Sequence, residues 1–167
     1  MSGFICEPVT ARHDRQRFDC GVEVLNRYLQ TQARQDMKRK VAAVFAMVPH
    51  DEPRRVAGYY TLSAASVELG ALPETVARKL PRYPILPAML IGRLARDLGF
   101  PGMGKLLLMN ALERALALSD EVAATFVIVD AKNATASAFY QRFGFVELSK
   151  NPRQLFLPMK TVADLNI

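Results

Sequence analysis

A glycine-rich turn leads directly into an apolar helical segment in the middle of this chain. Gly102 and Gly104 stand where that segment begins, and Lys105 follows in its first turn. The first N–H groups of a helix have no carbonyl partner within the helix, and glycines let an anion approach them closely. A lysine in the first turn opposes the helix dipole unless an anion binds there. The pattern is typical of a phosphate site, and also of a plain strand-to-helix turn.

A second group of residues able to do chemistry lies near the end of the chain. At about 100° per residue, Asn133, Ala136 and Tyr140 fall on one face of a predicted helix. That face offers an N-cap amide, a small residue that leaves room, and a phenol that can donate a proton. Phe139 and Phe143 form a neighbouring stripe suited to the core. The alternative for Tyr140 is a core aromatic with a satisfied hydroxyl.

The elements that position these groups follow from hydrophobic periodicity. Strands are predicted at FICEPVT, VAAVFAMVPH, RVAGYYTLSAASVEL, PAMLIGRLARD, ATFVIVDA and RQLFLPMK, and helices at VEVLNRYLQTQARQDMKRK, LPETVARKL, GMGKLLLMNALERALALS and NATASAFYQRFGF. The order predicts a mixed α/β (α+β) sheet with helices on its faces. The central hairpin must be antiparallel, which excludes a doubly wound sheet. The last helix starts at the carboxyl end of a buried strand, where ligands bind in open α/β sheets.

Length and composition are those of an ordinary globular protein. The chain has 167 residues, half of them hydrophobic, which predicts one domain over residues 1–167. We find neither a signal peptide nor an apolar run of the roughly 18 residues that a membrane span needs. Cys6 and Cys20 have no metal-binding spacing and are expected to be reduced, buried thiols. These features favour a cytoplasmic protein with no metal and no membrane association.

The chain is basic, with a net charge of +6 and a pI of about 9.6. An excess of this kind favours an anionic partner such as nucleic acid or a phosphorylated cofactor, although a merely basic surface is the alternative. The basic residues fall in clusters, namely Lys38, Arg39 and Lys40, then Arg78, Lys79 and Arg82, then Arg93 and Arg96. A long anionic substrate would use such clusters to bind phosphates, with strong salt dependence.

The residues Asn133, Ala136, Phe139 and Tyr140 belong to a longer pattern, N-x-x-A-x-x-F-Y-x-x-x-G-F, which ends at Phe145. This pattern resembles the C-terminal signature of the GNAT superfamily of acyl-CoA-dependent N-acyltransferases, and the predicted strand order is similar to that fold. The resemblance implies that acetyl-CoA is the co-substrate. It also implies that Asn133 and Phe139 lie at the coenzyme site and that Tyr140 is the general acid that protonates the departing thiolate.

The resemblance implies a further role for the glycine turn, which in the superfamily binds the coenzyme A pyrophosphate through backbone N–H groups. The superfamily loop reads [Q/R]-G-x-G-x-[G/A]. Here Pro101 stands where Gln or Arg is usual and Leu106 where a small residue is usual, while both glycines are kept. The N–H groups of Met103, Gly104, Lys105 and Leu106 remain to bind the pyrophosphate. By the same resemblance, the backbone of Leu94, Ala95 and Arg96 binds the pantetheine arm.

A narrower resemblance extends over nearly the whole chain. The blocks FDCGVEVLNRYL, GYYTLS, LPRYPILPAMLIGRLARD, VDA and LFLPMKT together are similar to the TacT-like acetyltransferase toxins of bacterial type II toxin–antitoxin systems. Members of that group acetylate the α-amino group of aminoacyl-tRNA and so block translation. The resemblance implies a homodimer and a ribbon-helix-helix antitoxin as partners. Arg78, Lys79, Arg82 and Arg93 are then the expected tRNA-binding residues.

The acceptor chemistry agrees with this interpretation. An α-amino group has a pKa of roughly 7.7–8.0, well below that of a lysine, so it needs little help to lose its proton. No carboxylate stands out as a base, and Asp97 and Asp130, at strand ends, are interpreted as structural. Two alternatives stay open. One is a GNAT enzyme for a small amine or a protein N-terminus, and the other is a non-catalytic acyl-CoA-binding module. Tyr140 could also merely position the thioester sulfur.

Overall fold

The structure is a computed structural model that describes residues 3–165. Its strands are β1 (Phe4–Pro8), β2 (Ala43–Pro49), β3 (Gly58–Glu68), β4 (Ile85–Arg96), β5 (Phe126–Asp130), β6 (Val146–Leu148) and β7 (Asn151–Pro158). Its α-helices are α1 (Glu23–Arg27), α2 (Ala33–Lys38), α3 (Glu74–Ala77), α4 (Met103–Leu118), α5 (Ala134–Gln141) and α6 (Met159–Asp164). A π-helical segment (Tyr28–Gln32) joins α1 to α2, and a short 3₁₀ turn (Leu69–Ala71) follows β3.

The seven strands form a mixed, mostly antiparallel sheet in the order β1-β2-β3-β4-β5-β7-β6. The pairs β1–β2, β2–β3, β5–β7 and β6–β7 are antiparallel. Strands β4 and β5 pair in parallel, from Ala88↔Phe126 to Ile91↔Val129. The predicted fold class and the antiparallel central hairpin are therefore confirmed.

The chain divides into two compact units. The first comprises the residues up to Ser63 together with Gly92–Ala111, and the second comprises the remainder. In the first unit the buried Tyr59 ring belongs to the core, with its centroid 5.4 Å from that of Phe18 and 6.3 Å from that of Tyr28. In the second unit the rings of Phe126 and Phe156 meet edge to face at 5.6 Å.

The helix predicted from Val22 onward is helical from Glu23 to Lys38, but its middle turn is π-helical. This wider turn holds Tyr28 and Gln32, whose side chains both donate hydrogen bonds to the Asp36 carboxylate. π-Helical turns are rare in proteins, and many of those that occur lie at functional sites. Periodicity alone did not predict it.

Several boundaries differ from prediction. The predicted last strand, RQLFLPMK, ends at Pro158, because α6 starts at Met159 and Pro158 supplies its N-cap. Neither this helix nor the three-residue β6 was predicted. The short helix α3 is confined to Glu74–Ala77, with Pro73 as its N-cap residue. Cys6 and Cys20 are half-buried, rather than buried as expected.

Candidate functional site

The glycine turn starts the longest helix of the described chain, α4, which begins at Met103. Gly102 has φ +84°, a left-handed conformation that side chains disfavour, and an added Cβ there would meet nothing within 4 Å. The Met103 N–H donates to the Phe100 carbonyl at 3.3 Å. The N–H groups of Gly104 and Lys105 lie in the first helical turn, whose N–H groups have no carbonyl partner inside the helix. The Leu106 N–H, expected from sequence to be a further donor, lies four residues after Gly102 and so makes the first hydrogen bond of the helix, to the Gly102 carbonyl. The turn thus presents backbone donors beside open space.

A buried carboxylate holds the start of this turn. Asp97 is 8% exposed, and its two oxygens accept from different N–H groups, that of Gly99 at 2.8 Å and that of Asp19 at 2.9 Å. The Asp97 N–H in turn donates to the Ala57 carbonyl at 2.9 Å. Both carboxylate oxygens are occupied by backbone donors, which is a structural role and agrees with the expectation from sequence. Asp130 is exposed and accepts from the Gln154 amide at 3.0 Å.

The predicted pantetheine-binding residues lie at the end of β4. The parallel register with β5 ends at Ile91, so Leu94, Ala95 and Arg96 follow the last residue of that ladder. Ala95 is buried, and its carbonyl oxygen would lie 3.1 Å from a Cβ atom added at Gly58. Leu94 and Arg96 are half-buried.

Tyr140 lies on the buried face of α5. Its side chain is 5% exposed, and its ring centroid is 5.3 Å from that of Phe139 and 5.6 Å from that of Phe145. Among residues 3–165 no group forms a hydrogen bond with its hydroxyl. Burial raises the pKa of Tyr140, and the Asp130 carboxylate raises it further. The phenol is therefore a neutral donor across the physiological pH range.

The remaining α5 residues are partly as predicted. Asn133 is the N-cap residue, and its side-chain oxygen accepts from the Ala136 N–H at 2.8 Å. The predicted core stripe is wrong, because Phe139 and Phe143 are half-buried while Ser137 and Tyr140 are buried. The Phe143 ring centroid lies 5.2 Å from that of Phe139, and the Arg142 guanidinium carbon lies 5.6 Å from the Phe139 centroid.

The basic residues occupy two kinds of surroundings. Arg78, Lys79 and Arg82 are exposed, within the second unit. Arg93 is half-buried in the first unit, and its guanidinium carbon lies 3.6 Å from the centroid of the Tyr28 ring. The Tyr28 hydroxyl donates to Asp36 at 2.8 Å. Sequence inspection missed Tyr28 and Asp36, since their partner Arg93 stands far along the chain and only the fold brings the three together.

Other kinds of site find no support among the described residues. No group of three or more His, Cys, Asp or Glu side chains in residues 3–165 is placed to hold a metal ion. Within the same range, no helix has the length and apolar character required to cross a membrane.

Comparison with known proteins places this arrangement in a family. A probable toxin TacT of Sinorhizobium fredii (strain NBRC 101917 / NGR234) is 29% identical over 171 residues, covering 96% of this chain and 94% of its own. A tRNA-acetylating toxin of Mycobacterium tuberculosis (strain ATCC 25618 / H37Rv) is 34% identical over 108 residues, which cover 64% of each chain. No protein-family model matches the chain.

Solved structures of similar proteins belong to the same kind of toxin. AtaT complexed with acetyl-methionyl-tRNAfMet has a TM-score of 0.90 at 33% identity, with 98% of this chain and 99% of AtaT covered. AtaT has also been solved as AtaTR bound with acetyl-CoA, with a TM-score of 0.86 at 33% identity over 100% of both chains. A tyrosine-to-phenylalanine variant of AtaT, bound to the C-terminus of the antitoxin AtaR, has a TM-score of 0.83 at 30% identity and covers 98% of each chain.

The sheet, the glycine turn and these neighbours define the class, which is the GNAT-type acetyltransferase fold. Within that class, this chain belongs to the acetyltransferase toxins of toxin–antitoxin systems.

Proposed function

We propose that this protein is a toxin that uses acetyl-CoA to acetylate the α-amino group of aminoacyl-tRNA and thereby blocks translation. The observation that carries the proposal is the likeness to AtaT, which covers 98% of this chain and whose solved complex contains acetyl-methionyl-tRNAfMet. Acetyl-CoA as co-substrate follows from the related complex of AtaTR with acetyl-CoA. A substrate of this kind also accounts for the net charge of +6.

The residues present fit the co-substrate. The open space at Gly102 and the N–H groups of Gly104 and Lys105 suit the pyrophosphate, with the Met103 N–H already bonded within the turn and Leu106 close to it in the first turn of the helix. The Lys105 side chain is exposed and adds positive charge beside these donors, which offsets the donor lost at Pro101. We assign the pyrophosphate to this turn.

Two further coenzyme contacts complete the assignment. The backbone of Leu94, Ala95 and Arg96 lies past the last β5-paired residue of β4 and is assigned to the extended pantetheine arm. Asn133 and Phe139, at the start and on the half-buried side of α5, are assigned to the coenzyme as well. These roles rest on the GNAT pattern together with the positions of the residues.

The reaction needs little from a base. The neutral α-amino nitrogen attacks the thioester carbonyl, a C–N bond forms, and the C–S bond then breaks to release the coenzyme A thiolate. An α-amino pKa of roughly 7.7–8.0 leaves a substantial fraction of the amine neutral near pH 7.5. The nitrogen becomes positively charged as the C–N bond forms, and it then releases a proton to solvent. The reaction therefore does not require Asp97 as a base, and both of its carboxylate oxygens already accept hydrogen bonds from backbone N–H groups.

Tyr140 is assigned as the general acid that protonates the departing thiolate. Its hydroxyl has no partner among residues 3–165 and is protonated at neutral pH, so it can donate a proton to the sulfur as the C–S bond breaks, and the phenolate left behind then regains a proton from solvent. Arg78, Lys79, Arg82 and Arg93 are assigned to tRNA phosphates. We further propose a cytoplasmic homodimer, since charged tRNA is cytoplasmic, and neutralisation by a ribbon-helix-helix antitoxin, by analogy with AtaT bound to the C-terminus of AtaR.

The test is transfer of label from [acetyl-¹⁴C]acetyl-CoA to total charged tRNA. The matched acceptors are deacylated tRNA, polyamines and short peptides, each at the same concentration. Label in the charged tRNA alone is the expected result. Label in polyamines or peptides but none in charged tRNA would show a different GNAT acceptor, and absence of acetyl-CoA binding by calorimetry would show a non-catalytic module.

A further inference from the structure

We infer that Tyr28 and Asp36 are positioning residues that hold the Arg93 guanidinium as a fixed fork for a phosphate of tRNA. The inference rests on the proposed function and deepens it, since Arg93 is one of four residues assigned above to tRNA only by its charge. The structure distinguishes it from the other three, because only Arg93 among them is stacked on an aromatic ring in the described chain.

The stacking fixes the plane of the guanidinium. The Arg93 guanidinium carbon lies 3.6 Å from the centroid of the Tyr28 ring, well within the distance of a cation–π contact. Tyr28 itself is 6% exposed and stacks on Tyr59 at 6.3 Å, so the supporting ring is held by the core of the first unit. An arginine held in this way loses less conformational freedom when its planar fork binds a phosphate.

The far end of the Tyr28 ring is fixed as well. Its hydroxyl donates to one Asp36 oxygen at 2.8 Å, and the Gln32 amide donates to the other at 2.9 Å. The Gln32 and Tyr28 hydrogen bonds lower the pKa of Asp36, so it stays ionised near neutral pH. The π-helical turn contains both donor residues, so this unusual turn places them around the Asp36 carboxylate.

The donors of Arg93 face no acceptor of the chain. Among residues 3–165 no oxygen accepts a hydrogen bond from its guanidinium, and no carboxylate lies within ion-pair distance of it. Arg93 instead lines a surface pocket whose other walls include Val24, Arg27, Thr31 and Gln32. Glu23 also lines this pocket, but its carboxylate lies 3.7 Å from the Arg27 guanidinium, which offsets its charge. An arginine that is oriented but unsatisfied suits bidentate binding of a phosphate.

The backbone of Arg93 is pinned too. Its N–H donates to the hydroxyl of the buried Thr61 at 3.0 Å, so the base of the side chain and its tip are both fixed.

The Asp36 carboxylate can affect tRNA binding in two ways that differ in sign. As a bare negative charge it repels tRNA, and its removal would tighten binding. As the anchor of the Tyr28–Arg93 stack it supports binding, and its removal weakens it.

The experiment measures the Kd of deacylated tRNA by fluorescence anisotropy over a series of salt concentrations, alongside kcat and KM for charged tRNA. The variants are Arg93→Gln, Arg93→Lys, Asp36→Ala and Tyr28→Phe, with Arg12→Gln as the control for loss of one exposed charge. Tyr28→Phe keeps the ring and the net charge, so it remains informative if a harsher variant fails to fold.

We expect Arg93→Gln to weaken binding about tenfold and to flatten the slope of log Kd against log salt by roughly 0.7–0.9, the value for one phosphate. Arg93→Lys weakens binding with the slope unchanged, because the charge stays while the planar fork is lost. Asp36→Ala and Tyr28→Phe raise Kd and KM for tRNA severalfold and leave kcat and acetyl-CoA affinity unchanged. Arg12→Gln behaves like wild type within about twofold.

Unchanged or tighter tRNA binding by Asp36→Ala or by Tyr28→Phe, or an unchanged slope for Arg93→Gln, would overturn the inference. Failure of the proposed function gives a different pattern. In that case wild type transfers no acetyl group to charged tRNA, whatever the binding series shows, and the Arg93-dependent binding of deacylated tRNA stands or falls by itself.

Discussion

Tyr140→Phe separates the chemistry of the proposed acid from the packing of its ring. The substitution removes one oxygen and keeps the contacts of the ring with Phe139 and Phe145. That oxygen has no hydrogen-bond partner among residues 3–165, so no buried donor or acceptor loses its partner when it is removed. The free energy of unfolding is therefore expected to stay within about 0.5 kcal/mol of wild type, or to rise slightly.

Turnover should fall much further than stability. A positioned general acid typically contributes about 10²- to 10⁴-fold, which corresponds to roughly 2.7–5.5 kcal/mol of transition-state stabilisation. Because the phenol acts only when the thiolate departs, the loss should appear in kcat, with the Kd of acetyl-CoA within about twofold of wild type.

The assay is single-turnover acetylation of charged tRNA at saturating acetyl-CoA, with calorimetric acetyl-CoA binding and thermal unfolding measured on the same preparation. A near-normal single-turnover rate constant for Tyr140→Phe would refute the acid role and leave Tyr140 as a residue that merely positions the thioester sulfur. A large loss of stability would show that the hydroxyl has a partner in the folded protein.

Three further outcomes follow from the same geometry. Gly102→Ala should cost about 1 kcal/mol, hence roughly 2–4 °C in Tm, and weaken acetyl-CoA binding, because φ is +84°, whereas Gly70→Ala, at an open site without positive φ, should not destabilise. Asp97→Asn should cost about 1–3 kcal/mol by thermal unfolding, since its amide group would face one of two backbone N–H donors, while the exposed Asp130→Asn should be nearly neutral. Burial raises the pKa values of three tyrosines, Tyr28, Tyr59 and Tyr140. The unfolded state releases phenolic protons first, so the free energy of unfolding should begin to fall as pH rises above about 10, and a constant Tm up to about pH 11 would contradict this.

The sequence predicted the parts of the fold that depend on local pattern. The central hairpin, the buried strand β5 and the N-cap at Asn133 were all predicted, and the structure confirms them. These features depend on alternating or continuous apolar runs and on one side chain that bonds three residues along. Strand β6 has only three residues, too few for a pattern, and α6 was hidden because apolar Met159 continues the run of β7.

The site divides in the same way. The glycine turn and the Asn133–Tyr140 pattern are local, so sequence inspection finds them. From the sequence, the most aromatic stripe of α5 is expected to be its buried face. The structure instead buries Ser137 and Tyr140 and leaves Phe139 half-exposed. The support of Arg93 by Tyr28 joins a helix to a distant strand, and only tertiary packing reveals such a pair.

The central claim is acetylation at the α-amino group of the amino acid on tRNA, and mass spectrometry tests it most directly. Charged tRNA is incubated with the protein and acetyl-CoA and then digested with a nuclease. The mass of the released aminoacyl-adenosine is measured, and the ion is fragmented. We predict a species heavier by one acetyl group, with that group on the α-nitrogen, present with wild type and strongly reduced with Tyr140→Phe. Unmodified aminoacyl-adenosine with active wild-type protein, or an acetyl group on the nucleoside, would contradict the account.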